Sequence, residues 1–328
     1  MQHPVEPPHL KERRTFLASL TERALSRYGL GEVKPVLLED STNLVFRVQL
    51  PGRQRKGEFV LRIHAPGQRS TNAIHEELQW LSAIRRDTAL RVPTPVPALD
   101  GSLIQEVPVS GEATPRHCVL LHWVSGEFRN ESLTPQDMQR VGAFMAQLHC
   151  HADQFVVSQA SPPTRRAHFC DVNAWTDPPC KVTAYFSSDD LAVFAAAAQR
   201  VQRAVRELGE GRDVFGFIHA DLHQWNYLFH DQDVRAIDFD DCGWGYHAYD
   251  IVVTLSYLET ALQDAFLAGY QRVRPLPACY AEYRDVFLAA RILSMVPWIL
   301  SWPQPSHRSW GPGYLQEAVE RLKRLMER

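Results

Sequence analysis

The pattern of apolar residues changes near residue 125 of this 328-residue chain, and that change limits the folds open to it. A helical stretch from Leu10 to Tyr28 is followed by short β-rich runs such as LVFRVQL and EFVLRIH. Beyond residue 125 the stretches lengthen and become helical, as from Pro135 to Leu148. We therefore predict an α+β fold with two lobes: a small antiparallel-sheet lobe with a leading helix (residues 1–124) and a larger helical lobe (125–328).

Composition excludes several classes of protein. Hydrophobic residues make up 45% and charged residues 22% of the chain, which is typical of a globular protein. The net charge of -3 offers no basic excess, so we do not expect a nucleic acid partner. The most apolar late stretch, Val286 to Leu300, is interrupted by Arg291 and Pro297, which predicts a buried helix and no membrane span. Six cysteines without a C-x-x-C pair favour reduced thiols and a cytoplasmic location.

The stretch FIHADLHQWNYLFHDQDVRAIDFDD, residues 217–241, has a readable local geometry. Two strand-like runs, Tyr227 to Phe229 and Val234 to Ile237, flank a polar turn and predict a hairpin. With the turn centred on Gln232, Asn226 and Asp238 are each six residues away from it. They are then predicted to face each other at the open end of the hairpin.

Oxygen ligands from an amide and a carboxylate suit Mg²⁺, which keeps waters and takes its remaining oxygens from nucleotide phosphates. Asp221 lies five residues before Asn226, where it reaches the same site and stays available to accept a proton. An Asp, an Asn after four intervening residues and a later Asp on the metal match the kinase template. Single residues of these types mostly cap turns, but their combination with a hairpin predicts a kinase that uses ATP and Mg²⁺.

The motifs IHADLHQWNYLF and AIDFDDCGWGYHAYDIV resemble the aminoglycoside phosphotransferase and choline kinase superfamily. These protein-kinase-like enzymes include homoserine kinases and bacterial stress-response kinases, and the resemblance runs from about Val36 to Trp302. It implies a bilobal protein-kinase-like fold with ATP between the lobes. The site residues it implies are Asp221 as catalytic base, Asn226 and Asp238 as Mg²⁺ ligands, His219 as the residue that orders the catalytic loop, and Asp250 as its brace. For Asp250, an acid interacting with a helix dipole is the alternative.

In the sheet lobe, the resemblance implies a basic strand residue that touches phosphate and pairs with a helix glutamate. Arg62 occupies the expected strand, where protein kinases carry lysine, and a plain exposed arginine is the alternative. Of the two candidate partners, Glu77 falls on the apolar face of the next helix and Glu76 at its border. Because a carboxylate on a buried face needs a partner, we predict that Glu77 pairs with Arg62.

Other nucleotide contacts are implied more loosely. The segment LLEDSTNLVFRV has no glycine between its strands, so backbone amides and the hydroxyls of Ser41 and Thr42 are expected to cap phosphates in place of a glycine-rich loop. Asn43 resembles the asparagine that often opens the next strand in this family and is counted with the nucleotide-binding residues. The segment CVLLHWVSGE resembles the hinge, where backbone groups from His122 to Val124 meet the adenine edge. A plain strand and turn is the alternative for the hinge.

Three aromatic residues near the metal motif are candidates for walls of an acceptor pocket. Trp225 stands where the family often has glycine, and Trp244 and Tyr246 follow Asp238 closely. Aromatic rings give a pocket a stacking surface. Core packing is the alternative for all three.

The predicted reaction moves the γ-phosphoryl group of ATP to a hydroxyl of a small-molecule acceptor, with Arg62 and Mg²⁺ offsetting phosphate charge. A stress-response type of Ser/Thr protein kinase is the first alternative, so a protein substrate stays open. A nucleotide-binding module without catalysis is the second, and the presence of Asp221, Asn226 and Asp238 disfavours it.

Overall fold

The computed structural model describes residues 8–30, 33–41, 43–50, 57–156, 175, 178–302 and 308–327. The chain divides into two compact units, Met1–Ser125 and Gly126–Arg328. Each unit has its own secondary structure and its own buried residues. In the part of the chain that is described, no helix is both long and apolar enough to cross a membrane.

The first unit is built on an antiparallel sheet. Its elements are α1 (Pro8–Ser26), β1 (Val36–Asp40), β2 (Asn43–Gln49), β3 (Glu58–His64), α2 (Thr71–Asp87), β4 (Pro95–Val96), β5 (Gln105–Val107) and β6 (Arg116–His122). The strands lie in the order β1-β2-β3-β6-β4, with β5 paired to β6. This arrangement matches the antiparallel sheet and the leading helix predicted from the sequence.

Alternation along β3 gives the sheet its two faces. Leu61 and Ile63 belong to a core cluster with Leu20 and Leu25 of α1. Arg62, between them in sequence, points the other way and bonds to a side chain of α2. Side chains alternate between faces along a strand, so the hydrophobic face and the charged position follow directly from the sequence EFVLRIH.

The second unit is mainly helical. Its helices are α3 (Pro135–Ala152), α4 (Cys180–Tyr185), α5 (Ser188–Leu208), α6 (His247–Leu255), α7 (Thr260–Gln271), α8 (Tyr280–Ser301) and α9 (Gly311–Met326). Its strands are β7 (Phe215–Ile218), β8 (Tyr227–His230), β9 (Asp233–Ala236) and β10 (Gly243–Tyr246), with a 3-10 turn at Phe239–Asp241. β7 pairs with β10, and β8 pairs with β9.

Helix α3 crosses α7 closely because each contributes a glycine at the contact. A Cβ on Gly142 would lie 2.0 Å from the backbone oxygen of Phe266, and a Cβ on Gly269 would lie 2.0 Å from that of Gln139. No larger residue fits at either position. This close packing fixes α3, which carries His149 toward the site described below.

Helix α8 is the buried helix predicted around Val286 to Leu300. Most of its residues from Val286 onward are buried, and Arg291 is buried with them at 7% exposure. A buried arginine needs a carboxylate or another acceptor to offset the loss of water. The partner of Arg291 is a residue of the candidate active site.

Candidate active site

The loop after β7 carries Asp221, and a side chain of α6 bonds to the backbone of this loop. Asp250, fully buried at the start of α6, accepts hydrogen bonds from the backbone N–H groups of His219 at 3.2 Å and Ala220 at 2.8 Å. Ala220 has a positive φ of 68°, a conformation that non-glycine residues seldom adopt. The two bonds to Asp250 therefore hold a strained backbone in place directly before Asp221.

His219 ties this loop to the end of the hairpin. Its Nε2 lies 3.0 Å from the carbonyl oxygen of Ile237, and its Nδ1 accepts from the backbone N–H of Asp221 at 3.3 Å. Burial lowers the pKa of His219, so the neutral ring with a proton on Nε2 fits both contacts. The loop and the residue next to Asp238 are thus joined through one side chain.

The register of the hairpin corrects the prediction. Tyr227 pairs with Ala236 and His230 with Asp233, so the turn consists of Asp231 and Gln232 and is not centred on Gln232. The backbone N–H of Ile237 donates to the carbonyl oxygen of Asn226 at 2.9 Å. Asn226 therefore lies opposite Ile237, and Asp238 is one residue further along the chain than the spacing predicted.

Asp238 leaves the strand direction at this point. Its φ of 58° and ψ of 61° place it in the left-handed region, and it begins the 3-10 turn Phe239–Asp241. Positive φ at a non-glycine residue is uncommon and clusters at functional positions. The side chain of Asp238 is exposed, as a cation ligand requires.

Asp221 has both carboxylate oxygens engaged. Oδ1 accepts from Nη2 of Arg291 at 2.5 Å, and Oδ2 lies 3.2 Å from Nδ2 of Asn226 and 3.3 Å from Nε2 of His223. Burial acts to raise the pKa of Asp221, but the charges of Arg291 and His223 outweigh it and hold the pKa below its usual range. Asp221 is therefore ionised at neutral pH and is a weak base.

The side chain of Asn226 is oriented by the same loop. Its Nδ2 donates to the backbone oxygen of Asp221 at 2.9 Å and also faces the Asp221 carboxylate and Nε2 of His223. Every hydrogen bond of this side chain within the described part of the chain uses the nitrogen. The oxygen is left as a hard ligand of the kind that Mg²⁺ prefers.

Arg291 is the main site residue that sequence reasoning missed. It lies on α8, 70 residues after Asp221, and its Nη2 also contacts the Tyr257 hydroxyl at 3.2 Å. The signal was present as a charge inside an otherwise apolar helical stretch, which predicts a buried ion pair. Spacing along the chain did not indicate which carboxylate would pair with it.

His149 is a second missed residue. It is fully buried on α3, where Nε2 lies 3.0 Å from Oδ2 of Asp250 and Nδ1 lies 2.8 Å from the Tyr270 hydroxyl. Burial lowers the pKa of His149 well below its usual value, so the ring is neutral and donates to Asp250. Burial raises the pKa of Asp250 to about 6, which leaves it ionised at neutral pH. Asp250 thus receives three hydrogen bonds.

In the first unit, Arg62 and Glu77 form the predicted ion pair. Nη2 of Arg62 lies 2.6 and 2.7 Å from the two carboxylate oxygens of Glu77, which is fully buried. Nη1 of Arg69 also reaches Glu77, at 3.4 Å, and sequence reasoning did not predict this second arginine. Glu77 is therefore shared by two arginines.

The other predicted nucleotide contacts lie at the ends of strands. Ser41 follows β1 and donates to Glu39 at 2.6 Å, and Asn43 begins β2 and is buried. Thr42 lies outside the described residues. His122 ends β6 with an exposed side chain, and Val124 is half-buried beyond it.

The three aromatic candidates separate into two groups. Trp225 is 50% exposed and its ring contacts His223 and Tyr257, at centroid distances of 5.5 and 6.1 Å. Tyr246 is buried and its hydroxyl bonds to backbone oxygens of α5 and the residue that follows it. Trp244 packs against rings of β7. Core packing therefore describes Tyr246 and Trp244, whereas Trp225 contacts His223, the residue whose Nε2 lies 3.3 Å from Asp221.

Comparison with known proteins assigns the chain to a family. The sequence model described as "Phosphotransferase enzyme family" matches residues 33–284, most of the chain. The chain belongs to this family. The resemblance drawn from the motifs at 217–253 is thereby confirmed.

Relatives and solved structures agree with this family. An uncharacterized protein of Deinococcus radiodurans is 31% identical over 292 residues, which are 85% of this chain and 80% of that protein. The structure of a microcompartment-associated aminopropanol kinase is 28% identical with a TM-score of 0.76, over 94% of this chain and 96% of that one. An amicoumacin kinase bound to AMP-PNP, Ca²⁺ and amicoumacin has a TM-score of 0.77 at 18% identity, over 97% and 96%. The predicted kinase-like fold is confirmed.

Proposed function

We propose that this phosphotransferase moves the γ-phosphoryl group of ATP to a hydroxyl group of a small-molecule acceptor, with Mg²⁺ as the accompanying ion. The observation that carries the proposal is the grouping of Asp221 and Asn226 on one loop, with the amide oxygen of Asn226 left over as a ligand. Similar proteins named as kinases of aminopropanol and amicoumacin support a small acceptor.

In the proposed reaction a bond forms between the acceptor oxygen and the γ-phosphorus, and the bond from that phosphorus to the β–γ bridging oxygen breaks. ADP leaves, and the hydroxyl proton passes to Asp221 and then to solvent. Because the pKa of Asp221 is held low, it contributes mainly by orienting the hydroxyl, and it takes the proton late. His219, Asp250 and the backbone of Ala220 keep its carboxylate in position.

The residues fit a divalent ion with hard oxygen ligands. Asn226 supplies an amide oxygen, and Asp238 supplies an exposed carboxylate from a left-handed backbone position. Mg²⁺ commonly binds through one or two protein oxygens and takes its other ligands from substrate phosphates and water. When bound, Mg²⁺ would offset the charge that develops on the phosphates.

The first unit supports the same chemistry independently. Nη2 of Arg62 bonds to both carboxylate oxygens of Glu77, and Nη1 of Arg69 reaches the same carboxylate. A guanidinium held in place by a carboxylate is suited to bind a phosphate group with its other donors. We propose that Arg62 contacts a phosphate group of ATP.

The direct test measures ADP release in the presence of a panel of alcohols, amino alcohols, hydroxy acids, aminoglycosides and a protein mixture, with ³¹P NMR of the product. A phosphate monoester of a small alcohol is the expected product. ADP release with the protein mixture alone would favour a protein kinase instead. No release with any acceptor would contradict the proposed function.

The metal assignment has a matched control within one hairpin. Asp238 and Asp231 are both exposed and both have a positive φ, but Asp231 lies at the turn. Calorimetric titration with ATP and Mg²⁺ should show a loss of affinity of more than about tenfold for Asp238→Asn and none for Asp231→Asn. Equal affinity of both variants, or unchanged affinity when EDTA replaces Mg²⁺, would overturn the assignment.

A further inference from the structure

The acceptor hydroxyl in the proposed reaction must reach a carboxylate that is already bonded to an arginine. Arg291 holds Oδ1 of Asp221 at 2.5 Å. A hydroxyl hydrogen-bonded to Asp221 lies about 2.7 Å from that carboxylate. A substituent a few bonds from the hydroxyl can therefore reach the guanidinium.

The hydrogen-bonding capacity of Arg291 is not exhausted by these contacts. Nη2 makes the bonds to Asp221 and to the Tyr257 hydroxyl, whereas Nε is buried and has no hydrogen-bond partner in the described part of the chain. The side chain is more than nine-tenths buried. It retains 9% exposure, and a guanidinium beside the reacting position is suited to an anionic ligand, which it binds through a planar fork of donors.

The charge of Arg291 bears on which acceptor can bind here. Asp221 is the carboxylate that Arg291 contacts among the described residues, and its charge is offset by that contact. An anionic group beside the acceptor hydroxyl would be attracted to the guanidinium of Arg291, whereas an ammonium group would be repelled by it.

We propose that the acceptor carries an anionic group, a carboxylate or a phosphate, two to four bonds from its hydroxyl, and that Arg291 and the Tyr257 hydroxyl bind this group. The proposal rests on the proposed function, because it concerns the acceptor of that reaction. Trp225, half-exposed next to Tyr257, supplies an apolar wall for the carbon chain between the two groups.

The first test compares acceptors that differ only in this group, with ADP release as the readout. The pairs are glycerate and glycerol, serine and ethanolamine, homoserine and 3-aminopropan-1-ol, and glycerol 3-phosphate with glycerol to separate phosphate from carboxylate. The acid should exceed its partner in kcat/KM by about tenfold to a hundredfold, the range of one charge-assisted hydrogen bond. Equal or greater turnover of the amines and neutral alcohols would overturn the proposal while leaving the kinase function intact.

Two variants of α8 test whether the preference for acidic acceptors depends on Arg291. Arg291→Lys keeps the positive charge and a partner for Asp221 but loses the planar fork, so the acid preference should fall by about tenfold. Arg284→Gln removes an exposed charge from the same helix, where Arg284 bonds to Gln263, and should keep the wild-type preference. A preference that is the same in all three proteins would contradict the role of Arg291.

A binding measurement separates this proposal from failure of the catalytic one. Glycerate and glycerol are titrated by calorimetry into the wild-type protein with AMP-PNP and Mg²⁺ present, so that glycerate does not occupy a phosphate site of the nucleotide. Glycerate should bind at least about tenfold more tightly, and Arg291→Lys should reduce this difference. Glycerol binding as tightly as glycerate would refute the proposal whether or not any acceptor is phosphorylated.

Discussion

Removal of the Asp250 carboxylate is expected to be the most destabilising single change in the candidate active site. Asp250 is fully buried and accepts bonds from two backbone N–H groups, those of His219 and Ala220, and from the ring of His149. Asp250→Ala leaves three buried donors without an acceptor. At about 1–3 kcal/mol for each unsatisfied group, the free energy of unfolding of the helical unit should fall by about 3–9 kcal/mol.

Two milder variants calibrate this magnitude. Asp250→Asn keeps the size of the side chain and one acceptor oxygen, so it leaves about one donor unsatisfied. It should lower the free energy of unfolding by about 1–3 kcal/mol. Thr254→Val removes one hydrogen bond from the same helix, which the Thr254 hydroxyl donates to the Leu222 carbonyl at 2.6 Å, and should cost about 1 kcal/mol.

The assay is urea unfolding followed by tryptophan fluorescence, at about pH 8, where Asp250 is ionised because its pKa is about 6. The expected order of destabilisation is Thr254→Val, then Asp250→Asn, then Asp250→Ala. A loss below about 1 kcal/mol for Asp250→Ala would refute the reasoning, because the two N–H groups of the catalytic loop would then have found other acceptors.

Three further predictions concern single side chains. Asp221→Asn should lower kcat by about 10²- to 10⁴-fold and leave the ATP affinity measured by calorimetry unchanged. A parallel loss of ATP affinity would indicate that Asp221 is a metal ligand. Glu77→Gln should reduce turnover and the free energy of unfolding far more than Glu76→Gln, because the fully buried Glu77 binds Arg62 through both carboxylate oxygens; similar values for the two variants would refute this. His247, whose pKa burial holds well below its usual value, takes up a proton only when unfolded, so its contribution to stability is complete above about pH 6.5 and is lost as pH falls. His247→Phe should therefore reduce by about 1.4 kcal/mol the stability loss between about pH 7.5 and 5.5, measured by urea unfolding.

The spacing of residues along single strands and helices was sufficient to predict much of the fold and part of the candidate site. Alternation in EFVLRIH placed Leu61 and Ile63 on the core face and Arg62 on the other, and helical phase selected Glu77 as its partner. Both results depend on the fixed periods of a strand and a helix, which operate over a few residues. The same reasoning identified the hairpin, but it misplaced the register by one residue, because the turn consists of two residues and not of an odd number.

The partners of the buried charges were decided by tertiary structure alone. The sequence of α8 shows that Arg291 interrupts an apolar helix, but its bond to Asp221 spans 70 residues and depends on how the helices pack. The same holds for His149, which reaches Asp250 across 101 residues. Periodicity predicts which face of an element is buried, whereas the side chain that it meets there depends on the packing of elements distant in sequence. The sequence was therefore sufficient to propose Asp221, Asn226 and Asp238 as site residues, and the tertiary structure determined the charges that surround Asp221.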